Sequence, residues 1–481
     1  MAVPTDKDGG FCLVELQALR GLISQKLDPS GGSPIYQGLS PHAVDVSSIV
    51  THFGRLLTQW QGSTKDGVVK KECAFALKEL AAAPASRLFS RLQFLIKTHK
   101  PPGGISLRPL HCSTLHPFGG WSRVLSRRLA AVTSGFAHLA RNTAQLIAQA
   151  TSWATEPGDV LLKVDVDNFY LEGTHPEMIW ALEGIWMDEA DQAMGERLTN
   201  WMLGNQYVHD ALTDTLYQVL QGSGMGCIHS GDLSDMLLYL RAERSFALSP
   251  VVRQRFGVRG YVRYRDDIFL CLRGASWHEW LAAFRTALSP TYQCKLEGIS
   301  HVSLQVLDTR MVFLPSHRGL VVVPYLKPTS IAAPLCSDSA HAPGVHNWPL
   351  AEVRRIARNS SRASSFECAK QRLLDRWNLC GLDACTLRAA QASDPFRDAR
   401  LASQIARVPS RPRVLAKQRL SSRILRAHPV WVRAGLLQVA SDVCAKWLLS
   451  LCSEGLLPAG FGIGVAWCNP GPPLLLRIRN A

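Results

Sequence analysis

The sequence predicts an α+β protein divided into several packed subdomains. Three observations carry that expectation. The chain has 481 residues, of which 47% are hydrophobic, more than one ordinary core requires. From about Arg91 to Leu326, short apolar runs bounded by Pro, Gly and Asp alternate with stretches of helical period. After about Lys327 the pattern turns helical.

The elements follow in order. The first 90 residues hold a Gly/Ser/Pro-rich patch, "DPSGGSP", and helix-like segments, and are read as an N-terminal extension without an assigned role. "RLQFLIKTHK", "PPGG" and "ISLRPL" give strand, turn and strand, because Pro and Gly together are strong turn formers. A helical stretch then runs to about Trp153, with Leu139, Thr143, Leu146, Ile147 and Ala150 on one face. "VLLKV" is a buried strand with carboxylates immediately after it. Another helical region leads to the glycine-dense "QGSGMG". Beyond it, Leu233, Met236, Leu237 and Leu240 have the spacing of a buried helix face. "YVRY", "RDD" and "IFLCL" form a β-hairpin with two acids at its tip. Further strands reach "LVVVPYLKP", and Trp431 to Leu449 is an amphipathic helix.

Lys and Arg number 53 against 38 Asp and Glu, a formal net charge of +15. This excess suits a polyanionic partner, either nucleic acid or an anionic membrane surface. No apolar run approaches the ~18–20 residues of a spanning helix, so a membrane span is not expected. The 13 cysteines show no pair at the spacing of a zinc knuckle. The opening segment lacks the pattern of a secretory signal. Free thiols in a reducing, intracellular compartment are therefore expected.

The chemistry begins with Asp165, at the end of one strand, and with Asp266 and Asp267, at the tip of a separate hairpin. Acids at two strand ends converge only if the strands lie side by side. Three converging carboxylates repel one another until cations or protons relieve them. Hard divalent cations with oxygen ligands are the natural occupants. Two such ions roughly 3.5–4 Å apart suit in-line phosphoryl transfer. An Asp-Asp pair alone is usually a solvated turn, so the ordered set of segments carries this reading.

"KVDVDNFY", "QGSGMGCIHSGDLSDMLL" and "YVRYRDDIF", in that order, resemble motifs A, B and C of reverse transcriptases. "KTHKPPGGISLRPL" resembles the fingers motif of the Penelope-like branch. "LQVLDTRMVFLPSHRGLVVVPYLKPTS" resembles that branch's "FLD … KPT" segment, and "WPLAEVRRIAR" its thumb entry. The likeness covers roughly Arg91 to Arg376.

The resemblance implies a right-hand polymerase: fingers over 91–154, a split-βαβ palm over 155–326, and a helical thumb and C-terminal region over 327–481. It implies an RNA-directed DNA polymerase that adds dNTPs to a DNA primer on an RNA template. Asp165, Asp266, Asp267 and the Val166 carbonyl would hold two Mg²⁺ ions, with Mn²⁺ as a substitute. Tyr170 would be the steric gate against a ribose 2′-hydroxyl, with a core aromatic beside Phe169 as the rival reading. Gln221 and Gly222 would touch nucleotide and template, where glycine permits close backbone approach. Lys97, Lys100 and Arg108 would meet the triphosphate. Arg354, Arg355 and Arg358 would follow the phosphates of the primer–template duplex. Each cation also has a plainer reading, as part of a solvated basic face. Nuclear residence is expected from the substrate.

Departures and alternatives accompany the resemblance. Cys227, Ile228, His229 and Ser230 stand where motif B normally carries small residues and a proline. Arg265 is not a common residue within its turn. The GIY-YIG nuclease of many Penelope-like proteins has no counterpart, so either a nuclease-free form or a truncated copy is expected. "HCSTLH" places His111, Cys112 and His116 close together, but without a second ligand pair they read as loop. Lys327 and Asp308 lie in matched segments without a defined role. A catalytically impaired, retroelement-derived nucleic-acid-binding protein remains an alternative. So does an RNA-directed RNA polymerase and, more distantly, a metal-dependent nuclease.

Overall fold

The computed structural model describes residues 2–4, 6, 11–27, 35–97, 106–314, 319–326, 348–379, 382, 384–393 and 395–396. Lys100, Lys327, the expected Pro-Gly turn and the expected helix over Trp431 to Leu449 lie outside them. The chain divides into two compact units. One comprises Met1–Lys7, Cys12–Val306 and Met311–Leu320, the other Asp8–Phe11, Leu307–Arg310 and Val321–Ala481.

In chain order the elements are β1 (Ala2–Pro4), β2 (Phe11–Leu13), α1 (Leu16–Leu27), β3 (Tyr36–Leu39), α2 (Val46–Ser63), α3 (Gly67–Ala82), β4 (Phe89–Lys97) and β5 (Ser106–Cys112). Then come α4 (Gly119–Thr133), α5 (Thr143–Ala150), β6 (Asp159–Val166), α6 (His175–Trp180), α7 (Glu189–Gly204), β7 (Tyr207–Asp210), β8 (Thr215–Val219) and α8 (Ser230–Leu238). α8 runs into a π-helical segment, Tyr239–Ala247. The remainder are α9 (Pro250–Phe256), β9 (Val258–Tyr264), β10 (Asp267–Arg273), α10 (Trp277–Leu288), β11 (Cys294–Ser300), β12 (Ser303–Val306), β13 (Thr309–Phe313), β14 (Leu320–Pro324), α11 (Trp348–Arg358), α12 (Ala363–Leu379) and α13 (Ala384–Ala392).

The helix starts have local causes. Asp45, Asp66, Asn142 and Asp188 each accept a backbone N–H in the first turn of α2, α3, α5 and α7. Thr174 and Glu177 form a capping box on α6.

The larger unit holds two sheets. One has the order β11-β6-β10-β9 and is antiparallel throughout. Val160, Leu162 and Val164 of β6 and Ile268, Leu270 and Leu272 of β10 are buried in one cluster with Phe53 and Trp60 of α2, and with Trp121 and Leu125 of α4. The other sheet has the order β3-β8-β7-β4-β5, with β4 and β7 parallel. The described residues among the first 90, Phe11 apart, are thus built into the unit rather than appended to it. β3 pairs with β8, and the Trp60 indole donates to Asp191 of α7 at 2.7 Å.

In the smaller unit, α11, α12 and α13 share a core of Val353, Ile356, Phe366, Leu373, Trp377 and Ala390. Asp308 accepts from Arg355 at 2.5 Å and from Asn359 at 2.6 Å, an anchor for this unit. No helix among the described residues is long and apolar enough to cross a membrane.

Candidate active site

The two acid-bearing segments lie side by side. β6 and β10 are neighbours, and Asp165 and Asp267 are direct register partners. Opposed residues of an antiparallel pair project to the same face. Asp266 occupies the turn between β9 and β10: Tyr264 pairs with Asp267, leaving Arg265 and Asp266 as a two-residue loop. Arg265 is left-handed there, with φ of 56°. The Val166 amide donates to the Asp266 carbonyl at 3.0 Å, which ties the turn to the end of β6.

The electrostatics follow from this crowding. Burial, then the charges of Asp267 and Asp165, push the Asp266 carboxyl up to about 6, with partial relief from Arg108. Burial also raises the Asp267 carboxyl, offset in part by Lys163. Two lysines answer the negative charge. Lys163, two residues before Asp165 on β6, lies 3.2 Å from Asp267 and 2.6 Å from Glu297. Lys295, register partner of Asp165 on β11, lies 2.8 Å from Asp165 and 2.5 Å from Asp167.

The donor set is all oxygen and suits a hard divalent cation. Burial is the larger cause of the raised Asp266 carboxyl, and the charges of Asp267 and Asp165 add to it; that second part is what such a cation would relieve. As the side chains stand, no three His, Cys, Asp or Glu residues among the described ones form a ready-made metal cluster. The ammonium groups of Lys163 and Lys295 stand beside the carboxylates instead.

The glycine loop lies against the segment that follows β6. Gly222, with φ of 69°, donates its amide to the Gly173 carbonyl at 2.8 Å. A Cβ on Gly222 would come 2.4 Å from the Leu171 Cα, so any side chain is excluded. The Ser223 amide donates to the Tyr170 carbonyl at 2.9 Å. The loop is therefore laid along the backbone of the segment that carries Asp165 and Tyr170. The half-buried Tyr170 ring stands edge-on to Phe169, and burial followed by the Asp266 charge pushes its hydroxyl up to about 12. Gln221 approaches Glu172 at 3.5 Å.

The remaining candidates fall elsewhere. Arg108, on β5, is ion-paired with the buried Asp6 at 3.0 Å, and its charge reaches Asp266. Lys97 ends β4 opposite Ser106. Arg354 and Arg358 are exposed on α11. Arg355 is turned into its own unit, held by Glu352 and Asp308, so these three do not form one free basic face. His111 and Cys112 belong to β5 rather than to a loop. His111 is buried, bonded to the Tyr36 hydroxyl at 2.9 Å, and burial holds it neutral with a pKa near 4. His229 is buried too, with Nδ1 at 3.1 Å from the Ser122 hydroxyl. Sequence reasoning missed Lys163 and Lys295. The alternation in "KVD" and "CKLEG" was the available signal, since residues two apart on a strand share a face.

No protein-family model and no curated protein matches the sequence. Among solved structures, the chain is similar to a telomerase from Candida albicans in complex with a TWJ fragment of telomeric RNA (9% identity, 65% of this chain and 60% of that one, TM-score 0.40). It is similar to an apo telomerase from Candida tropicalis (10% identity, 66% and 62%, TM-score 0.42). It is also similar to the RNA-dependent RNA polymerase of a human picobirnavirus (14% identity, 66% and 60%, TM-score 0.41). The chain thus spans about 60% of the length of these proteins. All three TM-scores lie below 0.5.

Proposed function

We propose that the chain is a nucleic-acid polymerase, and specifically an RNA-directed DNA polymerase of the reverse-transcriptase type. The observation that carries this reading is the register pairing of Asp165 with Asp267, with Asp266 beside them at the hairpin turn. A solvated Asp-Asp turn has no reason to meet a third carboxylate from a distant strand, nor to be walled by a glycine loop packed on that strand's continuation.

Asp165, Asp266 and Asp267, with the Val166 carbonyl at the end of β6, would hold Mg²⁺ or Mn²⁺. When bound, divalent cations would supply the charge that favours attack of a primer 3′-hydroxyl on the α-phosphate of a dNTP with release of pyrophosphate. The chain's own residues position the reactants. Tyr170 would set a flat wall against the sugar, where a 2′-hydroxyl would clash. Gly222, whose missing side chain lets the loop lie on the Leu171 backbone, would bring its own backbone to the nucleotide. Arg108 would offer its guanidinium to the triphosphate once freed from Asp6. Lys295 keeps its proton beside Asp165, because ion pairing with Asp165 and Asp167 outweighs the effect of its burial.

The Penelope-like affinity rests on the sequence motifs, and the RNA template, DNA primer and nuclear setting follow from it as part of the proposal. Tyr170 favours deoxyribonucleotides over the RNA-polymerase alternative. The test is extension of a DNA primer on an RNA template, with dNTPs and NTPs supplied separately. Extension with dNTPs and little with NTPs supports the reading. The reverse preference would make the chain an RNA polymerase. Binding of the primer–template without extension would make it a nucleic-acid-binding relic.

A further inference from the structure

Behind the catalytic turn lies a closed ring of charge that the reaction itself does not call for. Arg263 of β9 is fully buried, yet all five of its N–H donors are used. Nε and Nη2 bond the two Glu243 oxygens at 2.7 and 2.9 Å. Nη1 bonds Asp235 Oδ1 at 2.6 Å and the Arg265 carbonyl at 3.0 Å. Nη2 also bonds the Asp235 carbonyl at 3.2 Å. Asp235 Oδ2 in turn accepts from the Arg265 guanidinium, which lies 3.5 Å from Asp232 as well. One carboxylate thus bridges the two arginines that flank Tyr264. The ring closes through the carbonyl of Arg265, the residue immediately before Asp266.

The members come from several elements that meet only in the fold. Asp232 and Asp235 are on α8, which follows the glycine loop, and Glu243 is on the π-helical segment. A π-helical stretch is rare and is frequently found at functional sites. His138 and Tyr261 complete the environment of Glu243, at 3.0 and 2.7 Å. Burying this many charges is costly, and an apolar core of equal volume would serve stability as well or better. What the ring adds is position. It bonds the carbonyl of Arg265, whose φ is left-handed, at the point where the turn passes to Asp266.

We propose that Arg263 and Arg265, joined through Asp235, form a clasp that positions the Asp266–Asp267 turn and couples it to α8 and so to the glycine loop. They are positioning residues, acting through the turn rather than on substrate. The inference rests on the polymerase reading and adds to it a cause for the unusual Arg265.

Gly231 offers a test that separates position from stability. A Cβ there would meet the Arg265 Cζ at 2.8 Å, at the movable end of a side chain. Gly231→Ala therefore dislodges the guanidinium from α8 while raising helix propensity. Gly231→Ala, Arg265→Met and Arg265→Lys are compared with wild type in dTTP incorporation on poly(rA)/oligo(dT), in thermal unfolding, and in Mn²⁺ binding followed by electron paramagnetic resonance without nucleotide. Gly231→Ala and Arg265→Met are expected to lower kcat about 10- to 100-fold, as displacement of a reacting group by about an ångström does. The KM for dTTP stays within about twofold in the same variants, because no nucleotide contact is lost. Mn²⁺ binding weakens and Arg265→Lys recovers part of kcat; Tm is kept in Gly231→Ala, whereas Arg265→Met, which leaves the buried Asp235 with one guanidinium fewer, lowers it. Wild-type kcat in Gly231→Ala and Arg265→Met overturns the clasp. So does a rise in KM with kcat intact, which would place Arg265 on the nucleotide. If wild type itself neither extends the primer nor binds Mn²⁺, the polymerase reading has failed, and not the clasp alone.

Discussion

The Lys295 ammonium lies 2.8 Å from the Asp165 carboxylate, on the strand opposite it in register. A fixed positive charge thus sits beside the acids that the proposal assigns to divalent cations, and the two compete. Lys295 is about half exposed, so solvent discounts the effect. Lys295→Met should tighten Mn²⁺ binding about 2- to 5-fold, the equivalent of a surface pair of roughly 0.5–1 kcal/mol. A calorimetric titration with Mn²⁺ measures it, and unchanged affinity would separate Lys295 from the site.

Asp266 should make the metal-free protein sensitive to pH. Its folded pKa, about 6, lies above the ordinary carboxylate value. A carboxyl raised in this way favours folding when protonated. The contribution is full below the unfolded value near 3.8 and is lost as pH rises through about 6. The melting temperature should therefore fall across that window, against whatever trend other groups impose. Asp266→Asn should remove this component, and Mg²⁺ should restore stability more at pH 7 than at pH 5. A Tm–pH curve identical in wild type and Asp266→Asn would contradict the crowding of the three acids.

Gly222 is a position where geometry leaves no choice. Its φ is positive, and a Cβ would meet the Leu171 backbone at 2.4 Å. Gly222→Ala should cost about 1–3 kcal/mol from strain alone and should abolish primer extension, because the loop must lift from the Tyr170 segment. Thermal unfolding and extension on one preparation check both parts.

Tyr170→Val should relax sugar selection. With the ring gone, a 2′-hydroxyl no longer clashes, and incorporation of UTP relative to dTTP should rise at least about tenfold. Competitive incorporation on the same template reads the ratio. An unchanged ratio would leave Tyr170 as a core aromatic packed on Phe169.

Much of the site was legible in the sequence because its signals are local. The Pro-Gly signal separated β4 from β5, the acids marked the β9–β10 turn, and the glycines marked the loop. What local pattern does not encode is which strands become neighbours. The parallel pairing of β4 with β7, and the joining of Tyr36–Leu39 to β8, bring together segments far apart in the chain. The same gap made the first 90 residues look separable, although Phe53 and Trp60 are in the central core. Arg263 was invisible for another reason. A charged residue in a strand reads as outward-facing, and only its partners Glu243 and Asp235, from other elements, make its burial tolerable.

The central claim is that Asp165, Asp266 and Asp267 act as one site. Single-nucleotide incorporation of dTMP on poly(rA)/oligo(dT) tests it most directly, with wild type and the variants Asp165→Asn, Asp266→Asn and Asp267→Asn, each with Mg²⁺ and again with Mn²⁺. The proposal predicts incorporation by wild type and a loss of at least about a hundredfold in every variant. Asp165→Asn extending like wild type, or a well-folded wild type that extends with neither ion, would contradict it.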